Sequence, residues 1–367
     1  MDKKGFIERF ALFASLSVSM IGVGIFYIPA IVSNYVGADS WIAAIITGVV
    51  IWIILLLIHK LIKMNKYKDI TFILTDIYGG GLGRVISFMY SVVIIVILSL
   101  SLRVFCEVVT MYLLVNTPTE VIIITFIFMG MYLSRGGLAN VVHFNEIAFW
   151  IMFIPLTIIL ILTLPEADFK NLLPIGTAPI QNYFLASFEM LFVFNGFSMA
   201  FILIPYVKER NKVSKTLKIS SIFVGVFYCI TFILVSATLS KAQAVDSIFP
   251  TITMLQSISS RSGILEKWDS LVMALWVIFY FTSFANIYYF GSSIIKDVFK
   301  IEDIRTASML YIPLVYLATM FPENILEVRN FRFAYLRIGF IGGIIVVIGI
   351  TLVISCIRRM RRVRSEE

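Results

Sequence analysis

Charge is scarce in this sequence. Only 14% of its 367 residues are Asp, Glu, Lys or Arg while 60% are hydrophobic, which excludes an ordinary soluble domain and leaves a polytopic membrane protein. Cysteine is scarcer still: Cys106, Cys229 and Cys356 fall inside apolar runs or at the end of one, which excludes a disulfide framework and offers no metal-ligand spacing. The net charge of +8 is no nucleic-acid signature, because the basic residues cluster at the edges of apolar spans and form no stripe on a soluble face. Gly79-Gly80-Gly81-Leu82-Gly83 lacks both the lysine-serine/threonine ending of a phosphate loop and the strand context of a dinucleotide site. It reads as a flexible approach to a span. No catalytic constellation and no cofactor motif occurs, and no small-residue cleavage motif follows Met1-Asp2-Lys3-Lys4, so the first span reads as an uncleaved helix.

What the chain has in quantity is long apolar runs. Ten spans fit them, at 10–32, 41–62, 85–114, 119–134, 142–164, 183–206, 216–239, 269–293, 307–321 and 334–357. Twenty-two lysines and arginines alternate onto one side of these spans and seven onto the other, which predicts both termini in the cytoplasm. The basic run Arg358-Arg359-Met360-Arg361-Arg362-Val363-Arg364 is expected to anchor the end of the chain at anionic membrane lipid. The expected fold class is all-α: a single transmembrane domain over 1–367, with a five-helix repeat at 10–164 and a second, inverted one at 183–357. An odd number of spans per half forces the inversion.

Two spans are built oddly. The first carries Ile21-Gly22-Val23-Gly24-Ile25-Phe26 with Pro29 one turn on, and the sixth carries Phe194-Asn195-Gly196-Phe197-Ser198 with Pro205 near its end. Glycine lowers the cost of unwinding and proline removes an amide donor. Gly/Pro-interrupted spans in matching positions of two halves point to a binding site at mid-membrane, so spans one and six are expected to be discontinuous. Close helix packing through small residues is the plainer alternative. Half-helices starting near Gly24 and Gly196 would direct amides at an anionic group, and the carbonyls before them at an ammonium. A small zwitterionic amino acid is thus the first ligand to test.

Polar residues inside the spans supply the other candidates. Gly22, Gly24, Asn195, Gly196, Phe197 and Ser198 are read as ligand-binding, joined by Ser283 and Asn286, which share one face of span eight. Helix-to-helix hydrogen bonding explains the last two equally well. Arg103 and Glu107, four apart in span three, and Glu189 in span six would line an outer vestibule or form a structural ion-pair cluster. His143 and Glu146, with Asn145 between them at the cytoplasmic start of span five, are candidates for a proton relay, against the simpler account of interfacial solvation. No metal site is expected, and a coupling ion, if one exists, is not legible.

Gly22-Val23-Gly24-Ile25-Phe26 with Pro29 resembles the first-helix glycine motif of the amino acid–polyamine–organocation transporter superfamily. The ten-span length, the short termini and the Phe194-Asn195-Gly196-Phe197 centre resemble, more narrowly, the permease-like B subunit of endospore nutrient germinant receptors. That resemblance implies a spore inner-membrane protein that senses a small nutrient, such as an amino acid, and works with an A subunit and a lipoprotein C subunit. An autonomous amino acid transporter coupled to sodium or protons is the alternative. Span five lacks the coupling lysine that some superfamily members use, which speaks against proton-coupled uptake.

Overall fold

The computed structural model describes residues 5–22, 24–262, 268–322, 327 and 346–366, and within them the chain is almost entirely helical. Residues 334–345 of the tenth predicted span, Val23 of the glycine motif and the basic residues Lys3, Lys4, Lys267, Arg329, Arg332 and Arg337 lie outside the described residues.

The helices are α1 (Arg9–Met20), α2 (Gly24–Val36), α3 (Ser40–Met64), α4 (Ile70–Tyr78), α5 (Gly80–Tyr112), α6 (Thr119–Arg135), α7 (Gly137–Leu162) and α8 (Ile180–Val193). After a 3-10 segment at Asn195–Met199 come α9 (Ala200–Leu203), α10 (Val213–Thr238), α11 (Lys241–Asp246), α12 (Pro250–Ser262), α13 (Trp268–Val298), α14 (Ile304–Met320) and α15 (Val347–Glu366). At 33 residues α5 is about 50 Å long, more than the roughly 30 Å of bilayer hydrocarbon.

Outward faces of the long helices are apolar at helical spacing. Ile45, Val49, Ile53 and Leu57 on α3, and Ile147, Ile151, Ile154, Ile158 and Ile161 on α7, are all exposed. The opposite face of α3, including Ala43, Ala44, Thr47 and Ile51, is buried. Continuous exposed stripes of this kind fit lipid and not water. Inside, α3 and α10 cross so closely at Gly48 and Gly225 that a Cβ on Gly48 would lie 3.5 Å from the Gly225 Cα. Small residues at such crossings substitute tight packing for a hydrophobic driving force that lipid does not supply.

Two ends of the bundle are distinguished by their polar contacts. At the basic end the segment before α1 pairs with the segment after α9: the amides of Phe6 and Ile7 donate to the Tyr206 carbonyl at 2.9 and 3.0 Å, and the Lys208 amide donates to the Ile7 carbonyl at 3.0 Å. Lys208 also meets Glu8 at 3.0 Å, and Arg210 stands over the Tyr67 ring at 4.2 Å. Glu209 pairs with Lys212, whose hydrogen bond holds the Glu209 carboxyl below its ordinary range, with help from the charge on Arg9. Arg358 of α15 caps α4 by donating to the carbonyls of Asp76 and Ile77, both at 2.9 Å. Cations near a helix C-terminus also suit its dipole.

The opposite end is organised by Asp39, between α2 and α3. Its carboxyl is 1% exposed and accepts from the Tyr183 hydroxyl at 2.5 Å and the Gly176 amide at 2.9 Å. From these ends the chain directions follow. The pair α1–α2 runs away from the basic end, α8–α9 runs towards it, and the two lie side by side.

Candidate functional site

Helix α1 stops at Met20, where Ile21 leaves the helical region at φ −106° and ψ 85°. A helix end orphans its last carbonyls, and in an apolar interior each must find a donor. Here they do. The Ile21 amide bonds the Ser17 carbonyl at 3.2 Å. The Ser283 hydroxyl of α13 donates to the carbonyls of Val18 and Ile21 at 2.9 and 3.3 Å, and the Tyr228 hydroxyl of α10 reaches the Met20 carbonyl at 3.4 Å.

Pro29 disrupts α2 in the same way. It has no amide proton for the Ile25 carbonyl four residues back, and the buried Thr251 hydroxyl of α12 takes that place at 2.8 Å. In the partner pass, α8 ends at Val193, the 3-10 segment follows, and the axis bends by 53°. The two interruptions touch. A Cβ on Gly196 would overlap the Ser19 carbonyl, and one on Gly24 would overlap the Val193 side chain.

A cavity of about 70 Å³ opens between these segments. Ser19, Gly22, Gly24 and Tyr27 form one wall, Phe192, Val193 and Asn195 the next, and Tyr280, Ser283, Phe284 and Ile287 of α13 a third. The fourth comes from α5 through Ile97, Leu98, Leu100, Ser101 and Val104. Aromatic rings pack together on the side away from the basic end, starting from the lining residue Tyr280: Phe105 stacks on Tyr280 at 4.0 Å between centroids and meets Trp276 at 4.7 Å, and Trp276 meets Phe26 at 5.3 Å. Among the described residues no charged side chain lines the cavity. Its polar character comes from hydroxyls, one amide side chain and main chain at the helix ends.

Of the residues singled out in the sequence, Gly22, Gly24, Asn195 and Ser283 line this cavity. Gly196, Phe197 and Ser198 sit behind it. Phe197 is fully buried, and the Ser198 hydroxyl donates to the Asn195 carbonyl at 2.8 Å, steadying the turn that presents Asn195. Asn286 does not reach the cavity wall. Its amide donates to the Ser19 hydroxyl at 2.7 Å and accepts from Asn145 at 2.9 Å, so both its ends are engaged between helices.

Arg103 and Glu107 form a salt bridge at 3.0 Å along α5, with Arg103 7% exposed. Glu189 is buried on α8, and Tyr35 of α2 donates to it at 3.5 Å. His143 and Glu146 pair at 3.1 Å on the exposed side of α7, away from the cavity wall. Sequence inspection gave no reason to choose Leu98, Ser101 or Val104. The one available signal is that Ser99 and Ser101 interrupt an otherwise apolar stretch.

A second cavity, of about 290 Å³, lies towards the basic end between α4, α9, α13 and α14. Asp69, Lys296, Asp297, Glu302 and Asp303 line it, and it shares no residue with the first.

Helical composition, apolar outer stripes and a cavity between interrupted passes describe a transporter-like membrane protein, and comparison with known proteins narrows this. The sequence profile of a family described as "Spore germination protein" matches residues 6–328. The chain belongs to that family. Among its curated relatives, Spore germination protein A2 of Bacillus subtilis (strain 168) is 26% identical over 319 residues, covering 85% of this chain and 86% of its own. Spore germination protein YndE of the same organism is 26% identical over 306 residues, covering 83% and 84%. GerQB of Bacillus cereus is 23% identical over 275 residues, covering 74% and 75%.

Among solved structures, Mhp1, a nucleobase-cation-symport-1 family transporter held closed with bromovinylhydantoin bound, superposes with a TM-score of 0.70. The match covers 96% of this chain and 78% of Mhp1 at 14% identity, and it establishes the fold. This spore germination protein is therefore a multi-pass membrane protein with a transporter fold, as its likeness to the permease-like germinant receptor subunit implies.

Proposed function

We propose that this chain is the nutrient-sensing subunit of a spore germinant receptor. A small neutral or zwitterionic nutrient, an amino acid first among candidates, occupies the cavity between α1–α2, α5, α8 and α13. Occupancy shifts the balance between two conformations, and A and C subunits read that shift. The single observation that carries this reading is a cavity that no charged side chain lines among the described residues, bounded by main-chain ends that can meet both charges of a zwitterion. In this reading Gly22, Gly24, Asn195 and Ser283 meet the ligand directly, while Gly196, Phe197, Ser198 and Asn286 hold the segments that do. Arg103, Glu107 and Glu189 shape the approach from the side opposite the basic end. His143 and Glu146 are a solvated pair on α7.

The same proposal places ten crossings in two inverted five-helix repeats, 10–164 and 183–357. It sets the basic end and both termini in the cytoplasm, and the membrane as the spore inner membrane. Family membership and the transporter fold support this arrangement. Titrating the purified receptor complex with single amino acids, followed by thermal stability, tests the ligand claim. Saturable stabilisation that Gly24→Leu and Gly196→Leu abolish is expected. No stabilisation by any nutrient, or stabilisation indifferent to both substitutions, would sink it.

One observation favours a second reading, autonomous transport coupled to sodium or protons. The polar cavity near the basic end lies where a solute would leave. Counterflow in proteoliposomes holding this chain alone separates the two, because saturable exchange under an ion gradient requires transport.

A further inference from the structure

Three buried polar side chains on three helices make one continuous run. The Asn145 amide of α7 donates to Asn286 Oδ1 at 2.9 Å, the Asn286 amide of α13 donates to Ser19 Oγ at 2.7 Å, and the Ser19 hydroxyl donates to the Ser15 carbonyl of α1 at 2.6 Å. Asn145 and Asn286 are fully buried and Ser19 is 2% exposed. Only Ser19 touches the cavity. At the far end, Asn145 Oδ1 is buried with no hydrogen-bond partner among the described residues. We propose that this run, Ser19–Asn286–Asn145, carries the state of the cavity to the basic end of α7.

The chemistry of the side chains gives the run two discrete forms. An asparagine amide has a donor end and an acceptor end, and a serine hydroxyl is both. Turning over the amides of Asn286 and Asn145 reverses the two bonds between side chains: Ser19 then donates to Asn286 Oδ1 and Asn286 donates to Asn145 Oδ1. The reversed form satisfies the acceptor that is empty in the form observed, and it releases the Ser15 carbonyl and the Asn145 amide instead. The observed form makes three bonds and the reversed form two, so the observed form is the resting one and a solute that bonds Ser19 can make up the difference. A solute that takes or gives a hydrogen bond at Ser19 meets a different partner in each form, and a difference in interaction energy is the requirement for a ligand to shift an equilibrium.

Position makes the consequence local. Asn145 lies eight residues into α7, about 12 Å from its start. In the same turn His143 and Glu146 face outwards and pair at 3.1 Å. A change in what holds Asn145 on the inner side alters how that turn sits and what it presents outside. Asn286 and Asn145 are thus positioning residues. They do not touch the ligand.

Hydrogen exchange of the full chain in lipid nanodiscs tests this without a nutrient. Ser19→Ala is expected to raise amide exchange across residues 142–147 by about tenfold. Ser283→Ala alters the same cavity but lies outside the run and should leave those amides unchanged. In an Asn145→Leu background Ser19→Ala should have no further effect. Equal responses to the two serine changes, no response to either, or a Ser19→Ala effect that persists with Asn145→Leu would overturn the proposal.

A second arm rests on the nutrient-sensing reading. Spores carrying Asn145→Leu, at wild-type receptor abundance, are exposed to a mixture of the common L-amino acids. Stabilisation of the purified complex by that mixture should persist, while germination, read as loss of optical density, slows by about tenfold. Normal germination, or equal loss of stabilisation and germination, counts against the relay. If the wild-type complex is not stabilised by the mixture at all, the sensing reading fails and the exchange result stands by itself.

Discussion

Gly24 begins α2 directly against Val193, the last residue of α8, with no room for a side chain between them. The same holds for Gly196 and the Ser19 carbonyl, but the obstacles differ in kind. Val193 offers a side chain that can be trimmed, whereas Ser19 offers backbone that cannot.

This difference predicts an asymmetric rescue. Gly24→Ala should destabilise the protein by about 1–3 kcal/mol through overpacking, and Val193→Ala in the same chain should restore most of the loss. Gly196→Ala should cost at least as much, with no single side-chain truncation to rescue it. Thermal unfolding in detergent measures both. Equal rescue of the two glycine variants by Val193→Ala would show that the helices are not packed as described.

Thr251 and Pro29 form a second pair whose meaning lies in the missing amide. Thr251→Val should cost about 1–3 kcal/mol, because it leaves the Ile25 carbonyl buried without a donor. Pro29→Ala supplies a donor from α2 itself, so the Thr251→Val penalty should shrink in that background. A double-mutant cycle of thermal stabilities gives the coupling directly. Strict additivity would mean that the hydroxyl and the proline act independently.

Much of this was legible in the residues and some of it was not. Apolar runs gave the helices, since only internally bonded backbone survives in lipid; Gly24 stands out because a glycine pair shortly before a proline is an unusual way to write a span, and Gly196 because it interrupts the matching span of the other half. Thr251, Ser19 and Asn145 do not stand out. Their roles depend on partners 226, 267 and 141 residues away, and one hydroxyl in an apolar segment reads like any other until those partners are known. Asn145 was set beside His143 and Glu146 as an interfacial residue, yet its side of α7 turns inwards. The α5 wall was hidden for a related reason: Leu98 and Val104 are ordinary apolar residues whose outlook is decided by tertiary packing.

Away from the cavity, Asp39 depends on two donors, one from the Tyr183 side chain and one from the Gly176 backbone, while its Oδ1 is buried without a partner among the described residues. Tyr183→Phe removes one of the two and should cost about 1.5–3 kcal/mol, the range for hydrogen bonds to a charged group. Asp39→Asn keeps an acceptor for both donors and should cost less. Chemical denaturation in detergent, following helicity, ranks the two; the reverse order would mean that the Tyr183 hydroxyl is not what holds the carboxyl in place.

Val104 offers the most direct probe of the cavity itself. It lies on α5, away from both interrupted segments, and contributes wall without bonding any of the exposed carbonyls. Val104→Phe should project a ring into a space of about 70 Å³ and leave little of it for a solute. Filling an existing void adds contacts without removing any, so thermal stability should be equal to or above that of the unmodified protein. Stabilisation by amino acids should disappear. That combination separates occlusion from unfolding, since a variant that lost its ligand by misfolding would melt earlier. Retained amino acid stabilisation in Val104→Phe would place the ligand elsewhere, with the polar cavity lined by Asp69 and Asp297 the next to examine by the same substitution logic at Phe201.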